Sequence, residues 1–143
     1  MTYDNFTIKA QEAILKAQQI AGGYDQQAVD TVHLVKGILE TDEDLSKFLL
    51  QKMGVNISLL KEKLINTIKT YPRVEGGEKQ FLTGDANKAL SRAKNILPEF
   101  NDEFISIEIM LLAILQGNDK ASSIMKDVGV TEAQLKAAIT EIR

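Results

Sequence analysis

Apolar residues recur every three or four positions along most of the chain, the spacing that places them on one face of an α-helix. The first stripe of this kind consists of Ala10, Ile14, Ala17 and Ala21. Thr7 stands where its hydroxyl can cap the first free N–H groups, and Gly22-Gly23 ends the run. Only residues 104–107 show a weak two-residue alternation. The pattern therefore predicts an all-α fold.

The second half of the chain repeats the pattern of the first. Residues 7–21 align with residues 83–97, so that Thr7 meets Thr83 at an offset of 76 positions. The same offset places residues 32–39 on 108–115, and after a one-residue slip 49–64 falls on 124–139. Two fused copies of a helical unit are more typical of a binding surface than of a catalyst. We predict two four-helix units, about eight helices, related by a pseudo-two-fold axis.

Capping and breaking residues divide each copy into four helices. After the first helix, the first copy is predicted to have helices at about 31–40, 44–53 and 56–71. The second copy is predicted to have them at about 83–97, 106–117, 120–128 and from Thr131, where Gln134 completes a capping box. Residues 72–81 contain a proline and two glycines and show no period. We predict one domain over 1–143, with repeat one at about 1–71, a linker at 72–81 and repeat two at about 82–143.

The composition is that of a globular module, with 44% hydrophobic and 26% charged residues. A net charge of −3 offers no basic face for nucleic acid. The chain has no cysteine, which excludes disulfides and thiolate chemistry. Its longest apolar run, 109–115, is far shorter than the roughly 20 residues that span a bilayer, and no signal pattern opens the chain. We expect a cytoplasmic protein with no nucleic-acid or membrane partner.

Candidate catalytic chemistry is sparse. His33 is the only histidine, so no pair of histidines can bind a metal ion. Asp102, Glu103 and Glu108 are grouped, but carboxylates near a helix start more often serve the helix dipole. Gly76-Gly77 lacks the residues of a phosphate-binding loop. We predict no catalytic residue, no metal and no cofactor.

The two copies differ on one helix face. His33 and Lys36 of the first copy correspond to Ile109 and Leu112 of the second, and each pair shares a face at i,i+3 spacing. If the copies are structurally equivalent, the second pair occupies positions that accept an imidazole and an ammonium, which indicates a partly hydrated site. Two interpretations stay open. Either the linker covers this face, or the face is an exposed apolar groove for a guest peptide with an acidic lip.

These patterns carry a resemblance to a known family. The tandem repeat, TIKAQEAILKAQQIA at 7–21 and the H-L…I-L core of the second helix resemble the Clp N-terminal domain. This double-repeat module precedes the ATPase rings of Clp/Hsp100 unfoldases. The linker PRVEGG, the following FLTGDANKAL, and DEFISIE at 102–108 are similar to the ClpB-type disaggregase branch. The resemblance covers essentially the whole chain, and it implies that ATP and Mg²⁺ belong to ATPase modules outside these residues.

The resemblance also implies a function. A ClpB-type N-domain is non-catalytic and captures unfolded or aggregated polypeptide for a motor that forms a hexamer through its ATPase modules, while the isolated domain is monomeric. Carried over by motif, the polar rim of a binding groove is Thr7 in F-T-x-K-A-Q, Asp102 in D-E-F-I-S and Glu108 in I-S-x-E. The substrate-binding groove itself would be lined by Leu90 and Ile109, and the comparison of the two copies adds Leu112 on the same face as Ile109. Many relatives carry histidine at position 109, so isoleucine makes this site more apolar.

An alternative binding function is that of a ClpC-like domain, which docks adaptors or binds phosphoarginine tags. That mode is associated with a carboxylate in the corresponding motif of both copies. The first copy here has Val32 where the second has Glu108, which disfavours a doubled guanidinium-phosphate site. A small standalone enzyme is disfavoured because the sequence offers no nucleophile–base pair.

Overall fold

The structure, a computed structural model, describes residues 2–76 and 79–143 and is built from two successive groups of four helices. The first group is α1 (Ile8–Gly23), α2 (Thr31–Thr41), α3 (Glu43–Lys52) and α4 (Ile57–Ile68). The second group is α5 (Gly84–Ile96), α6 (Ile107–Leu115), α7 (Lys120–Asp127) and α8 (Glu132–Glu141). Two short strands, β1 (Ala28–Val29) and β2 (Phe81–Leu82), and a 3₁₀ turn at Leu97–Phe100 connect them. The predicted all-α fold with about eight helices is confirmed.

Helix starts follow the predicted caps. The Thr7 hydroxyl accepts the Ala10 amide at 3.0 Å, and the equivalent Thr83 hydroxyl accepts the Ala86 amide at 3.1 Å. At the start of α8 the Thr131 hydroxyl accepts a bond from the Gln134 amide, which is one half of the predicted capping box. These bonds satisfy N–H groups that have no partner inside the helix.

The first repeat ends differently from the prediction. Helix α4 stops at Ile68 rather than near Tyr71. The Ile68 carbonyl accepts a 2.6 Å bond from the Gln26 side-chain amide, and the Tyr71 hydroxyl turns to donate to Asp30 Oδ2 at 2.7 Å. The helix ends in a tighter turn, in which the Thr70 and Tyr71 amides donate to the Thr67 and Ile68 carbonyls, and the two tertiary hydrogen bonds hold this end in place. Of the linker predicted at 72–81, residues 77 and 78 lie outside the described residues, and with them half of the Gly76-Gly77 pair.

The alanines of the first and fifth helices are core contacts. All six are at most 1% exposed: Ala10, Ala13, Ala17, Ala86, Ala89 and Ala93. Close packing is tightest where α1 crosses α2, because a Cβ at Gly37 would lie 2.6 Å from the Ala13 carbonyl oxygen. Small side chains let the two helix backbones approach to a distance that larger residues would prevent.

Each repeat anchors the first helix of the other. The Thr7 amide donates to the Ile105 carbonyl at 2.9 Å, and the Thr83 amide donates to the Val29 carbonyl at 3.0 Å. Phe6 pairs with Ile105 in parallel fashion, as Leu82 pairs with Val29. These two sets of residues are equivalent at the offset of 76, so the exchange is reciprocal. This reciprocity is the pseudo-two-fold relationship that the sequence predicted.

Helix α6 is the centre of the domain. Every residue from Ile107 to Leu115 is buried, and α1, α2, α5, α7 and α8 pack around this helix. Ile109 and Leu112 are both 0% exposed. The expectation that they line an open groove is therefore wrong, and so is the alternative that the linker covers them, because neighbouring helices do so. The described part of the linker instead contacts the first repeat, where the Val74 amide donates to the Asp25 carbonyl.

Candidate functional site

The polar residues predicted for the rim meet around the start of α6, where an arginine joins them. The Arg143 guanidinium contacts Asp102 through Nη2–Oδ2 at 2.6 Å and Glu108 through Nη1–Oε2 at 2.9 Å. Its Nη2 also lies 3.3 Å from the hydroxyl of Ser106, the residue that caps α6. Glu108 is only 6% exposed, so this ion pair neutralises a buried carboxylate.

Arg143 was not identified from the sequence, because a single basic residue beyond the last helix has no periodic signal. The available signal was complementarity: a cation at the end of α8 faces an acidic loop in the same repeat. Hydrogen bonding to Asp102, followed by the bond to Glu108, raises the pKa of the Arg143 guanidinium despite its partial burial. The three side chains form one charge-assisted network.

Thr7 adjoins this network through the backbone. Its amide bonds the carbonyl of Ile105, the residue before Ser106, which brings the start of α1 beside the start of α6. The Thr7 hydroxyl oxygen is already used as the cap of α1. The structure therefore brings the predicted rim residues Thr7, Asp102 and Glu108 into one region. It separates them from Ile109 and Leu112, which point into the core.

A cleft opens next to this region, between the N-terminal segment and α5. Its volume is about 510 Å³, and its lining includes Asn5, Phe6, Leu90, Ser91, Lys94 and Ile105. Leu90 is 3% exposed and lies at the cleft floor, so of the three predicted groove residues it alone reaches this surface. Ile8 and Phe104, on either side of the Thr7–Ile105 hydrogen bond, are 75% and 47% exposed. Exposed apolar side chains thus adjoin a cleft with an apolar floor.

A second cavity of about 530 Å³ lies where α2, α5 and α7 begin, and its walls include Tyr71, Phe81, Asp85 and Lys120. Asp30 lies in it and accepts bonds from the Tyr71 hydroxyl at 2.7 Å and the Thr83 hydroxyl at 2.8 Å. Burial and then the bond to Asp30 raise the pKa of Tyr71. This cavity could not be predicted from the sequence, because its residues come from four separate segments.

His33, the lone histidine, is a structural residue. It is 0% exposed, its Nδ1 accepts the Asp30 amide at 2.9 Å, and its Nε2 lies 2.7 Å from Gln26 Oε1. Burial lowers its pKa to about 4. The inference that the His33–Lys36 face marks a hydrated site was therefore wrong for His33, because hydrogen bonds rather than water satisfy its ring. Lys36 remains partly exposed and pairs with Glu40.

Within residues 2–76 and 79–143, no group of three or more His, Asp or Glu side chains is placed to hold a metal ion. In the same described part of the chain, no helix combines the length and apolar character needed to cross a membrane.

Comparison with known proteins identifies the family of this chain. The model of the Clp repeat (R) N-terminal domain matches residues 5–128. The chaperone protein ClpB of Bacteroides thetaiotaomicron is 38% identical over 143 residues, and ClpB of Porphyromonas gingivalis is 36% identical over the same length. Each alignment covers 100% of this chain but 16% of the relative. The chain therefore spans about a sixth of the length of these ClpB proteins.

Solved structures agree on the fold. The N-terminal domain of Hsp104 from Candida albicans superposes with a TM-score of 0.82 at 19% identity, over 98% of this chain and 92% of that one. The N-terminal domain of ClpD from Arabidopsis thaliana gives a TM-score of 0.74 at 20% identity, over 99% and 97% of the two chains. Fold, reciprocal repeats and sequence similarity agree: the chain belongs to the Clp repeat (R) N-terminal domain family and is similar to the N-terminal regions of ClpB chaperones.

Proposed function

We propose that this domain captures unfolded or aggregated polypeptide for an ATP-driven disaggregase of the ClpB type. The observation that carries the proposal is the cleft of about 510 Å³ beside the start of α6, where Phe6 and Leu90 form the apolar floor and the rest of the lining is mainly polar. Exposed Ile8 and Phe104 lie next in sequence to Thr7 and Ile105 and offer apolar surface near the cleft. An unfolded segment presents apolar side chains that a folded protein hides, and such a cleft selects for them.

The residues of the site have separate roles in this proposal. Leu90 contacts the guest, while Ile109 and Leu112 lie below the surface and support the wall. Thr7, Asp102 and Glu108 form the polar rim. Arg143 pairs with both carboxylates, so one guanidinium offsets only part of two negative charges, and the rim keeps a net negative charge beside the cleft.

Affinity for such a guest should be modest. A fully buried aliphatic or aromatic side chain contributes roughly 1.5–3 kcal/mol, and ordering a disordered chain consumes much of the sum. Weak binding suits a domain that releases its guest to a motor. A hexamer formed through ATPase modules would carry several such domains and recover avidity, while the isolated domain stays monomeric. We place this activity in the cytoplasm.

The ClpB-type function is favoured over phosphoarginine binding by the first repeat. Val32, the counterpart of Glu108, is 0% exposed and is part of the core. The first repeat therefore presents no carboxylate at this position, which the doubled site of the alternative function needs.

Filling the cleft tests the proposal. Ser91 lies exposed on α5 and lines the cleft, so Ser91→Trp should block it. Asn95→Trp, one helical turn later and also exposed, places the same side chain outside the lining and is the matched control. Binding of a labelled, permanently unfolded polypeptide without arginine or lysine is measured by fluorescence anisotropy, with circular dichroism as a check on folding. We expect Ser91→Trp to lose binding and Asn95→Trp to keep it; equal binding by both folded variants would refute this location.

A further inference from the structure

The geometry points to a second binding site for polypeptide, in the cavity where α2, α5 and α7 begin. We propose that it takes an extended segment in which a basic side chain is flanked by apolar ones. This goes beyond the proposed function, because the cavity lies between the two repeats and shares no lining residue with the cleft at Leu90.

The walls of the cavity provide the apolar part of the site. Phe81 and Val74 project from the two ends of the linker and are 54% and 38% exposed, so both present apolar surface to a guest. Tyr71 and Pro72 complete this side of the cavity. With a volume of about 530 Å³, the cavity is large enough for more than one side chain of an extended guest.

The charges of the lining provide the selectivity. Asp30, Asp85 and Asp119 contribute three carboxylates, and Lys120 contributes one ammonium. The bonds that Asp30 and Asp119 accept from side chains come from neutral hydroxyls, and none of the ion pairs among the described residues includes these carboxylates. The helix starts add partial positive charge, part of which is used in the caps at Thr83 and Asp119. The cavity is therefore net negative and complementary to a cation.

One contact indicates that a cation fits this position. The Lys120 ammonium lies 5.1 Å from the centre of the Tyr71 ring, so an exposed cation of the chain already occupies the aromatic face. A basic side chain of a guest would take this place by displacing Lys120.

The proposal can be tested by changing the charge of the cavity in both directions. The probe is a short labelled peptide with arginine between leucine and phenylalanine, compared with the same peptide carrying citrulline, which is neutral and of the same shape. Asp85→Asn removes a negative charge at an exposed position, and Lys120→Gln removes the internal competitor, also at an exposed position. We expect Asp85→Asn to weaken binding of the arginine peptide by about threefold and Lys120→Gln to tighten it by a similar factor. The citrulline peptide should respond to neither change.

Location is read out independently by amide chemical shifts in the labelled domain. The arginine peptide should shift residues 28–30, 71–74, 81–85 and 119–120. Phe81→Ser should weaken both peptides, while Phe48→Ser, at an exposed phenylalanine on α3, should weaken neither. The inference is overturned if the arginine and citrulline peptides bind alike, if both charge variants leave binding unchanged, or if the shifts fall on 2–7, 90–94 and 105.

The outcomes separate this inference from the proposed function. Loss of unfolded-polypeptide binding in Ser91→Trp with arginine-peptide binding intact would support both sites. Unfolded polypeptide that binds without any effect of Ser91→Trp would count against the cleft alone. An arginine peptide that fails to respond to Asp85→Asn and Lys120→Gln would count against the second site alone.

Discussion

The imidazole of His33 is bonded to the side chain of Gln26, with Nε2 and Oε1 2.7 Å apart. Nδ1 accepts the backbone amide of Asp30, so the ring must be neutral with its proton on Nε2. Gln26 is itself 2% exposed, and its amide nitrogen donates to the Ile68 carbonyl at the end of α4. The single histidine thus joins the start of α2 to the end of α4 through one buried network.

This network makes stability depend on pH. Burial lowers the pKa of His33 from 6.5 to about 4, so the unfolded chain binds a proton more readily than the folded one. The contribution of His33 is fully present above pH 6.5 and is lost as pH falls towards 4, by on the order of 3 kcal/mol in total. Urea unfolding at a series of pH values should show this decline.

The control for this prediction is His33→Gln, which keeps hydrogen-bonding groups but cannot titrate. Carboxylates contribute their own pH dependence near pH 4, and they are common to both proteins. The difference in unfolding free energy between wild type and variant should therefore shrink between pH 6.5 and 4. A difference that stays constant over this range would show that His33 is not the titrating group.

The crossing of α1 and α2 makes a strong prediction for Gly37→Ala. Alanine normally favours a helix over glycine, but here the new methyl group would meet the Ala13 carbonyl oxygen at 2.6 Å. We expect a loss of about 1–3 kcal/mol in unfolding free energy, measured by urea denaturation. Gly84→Ala is the matched control, because a Cβ at that helical glycine has no neighbour within 4 Å. Its stability should be unchanged or higher, and equal losses in the two variants would contradict the packing argument.

Arg143→Ala should destabilise the domain through Glu108. Removal of the guanidinium leaves a carboxylate that is 6% exposed without its ion-pair partner, at a cost of about 1–3 kcal/mol. Adding Glu108→Gln to the variant should recover part of the loss, because a neutral amide is easier to bury. Lys136→Ala breaks exposed pairs with Glu99 and Glu132 and should change the melting temperature little. If Arg143→Ala and Lys136→Ala melt at the same temperature, the Arg143 ion pairs stabilise the domain no more than exposed ion pairs do.

The chain should neither bind nor hydrolyse nucleotide. Its sequence has no G-x-x-x-x-G-K-[ST] loop to surround phosphates. Titration calorimetry with Mg-ATP should give only heats of dilution, and phosphate release should match the buffer. A saturable one-to-one isotherm would contradict this expectation.

Helices, caps and repeats could be predicted because they depend on local or periodic features. Thr7 and Thr83 cap their helices through residues three positions away, and the 76-residue offset is visible in the sequence alone. The end of α4 could not be predicted to the residue, because it is held by hydrogen bonds from Gln26 to the Ile68 carbonyl and from the Tyr71 hydroxyl to Asp30, over 42 and 41 positions of sequence. Helix propensity depends on the local sequence and carries no information about such contacts.

The candidate groove was predicted only in part, for a related reason. A polar residue in one repeat suggested a hydrated face in the other, yet His33 is buried because Gln26 and Asp30 satisfy its nitrogens. At the equivalent position in α6, Ile109 is buried as well, as a core residue. The polarity of a side chain therefore did not predict whether its position is exposed. The contact between Arg143 and Asp102 joins residues 41 positions apart and depends on the folded arrangement of α6 and α8.

The reciprocal bonds of Thr7 with Ile105 and of Thr83 with Val29 mean that the domain is, in effect, a strand-exchanged dimer contained in one polypeptide. These bonds join the two halves independently of the linker, which adds hydrogen bonds from the Val74 amide to the Asp25 carbonyl and from the Gln80 side chain to the Gln18 carbonyl. We therefore expect a chain cut once within the linker to stay associated, whereas either half alone would lack the partner that anchors its first helix. Each repeat therefore supplies the backbone contacts that hold the first helix of the other repeat in place.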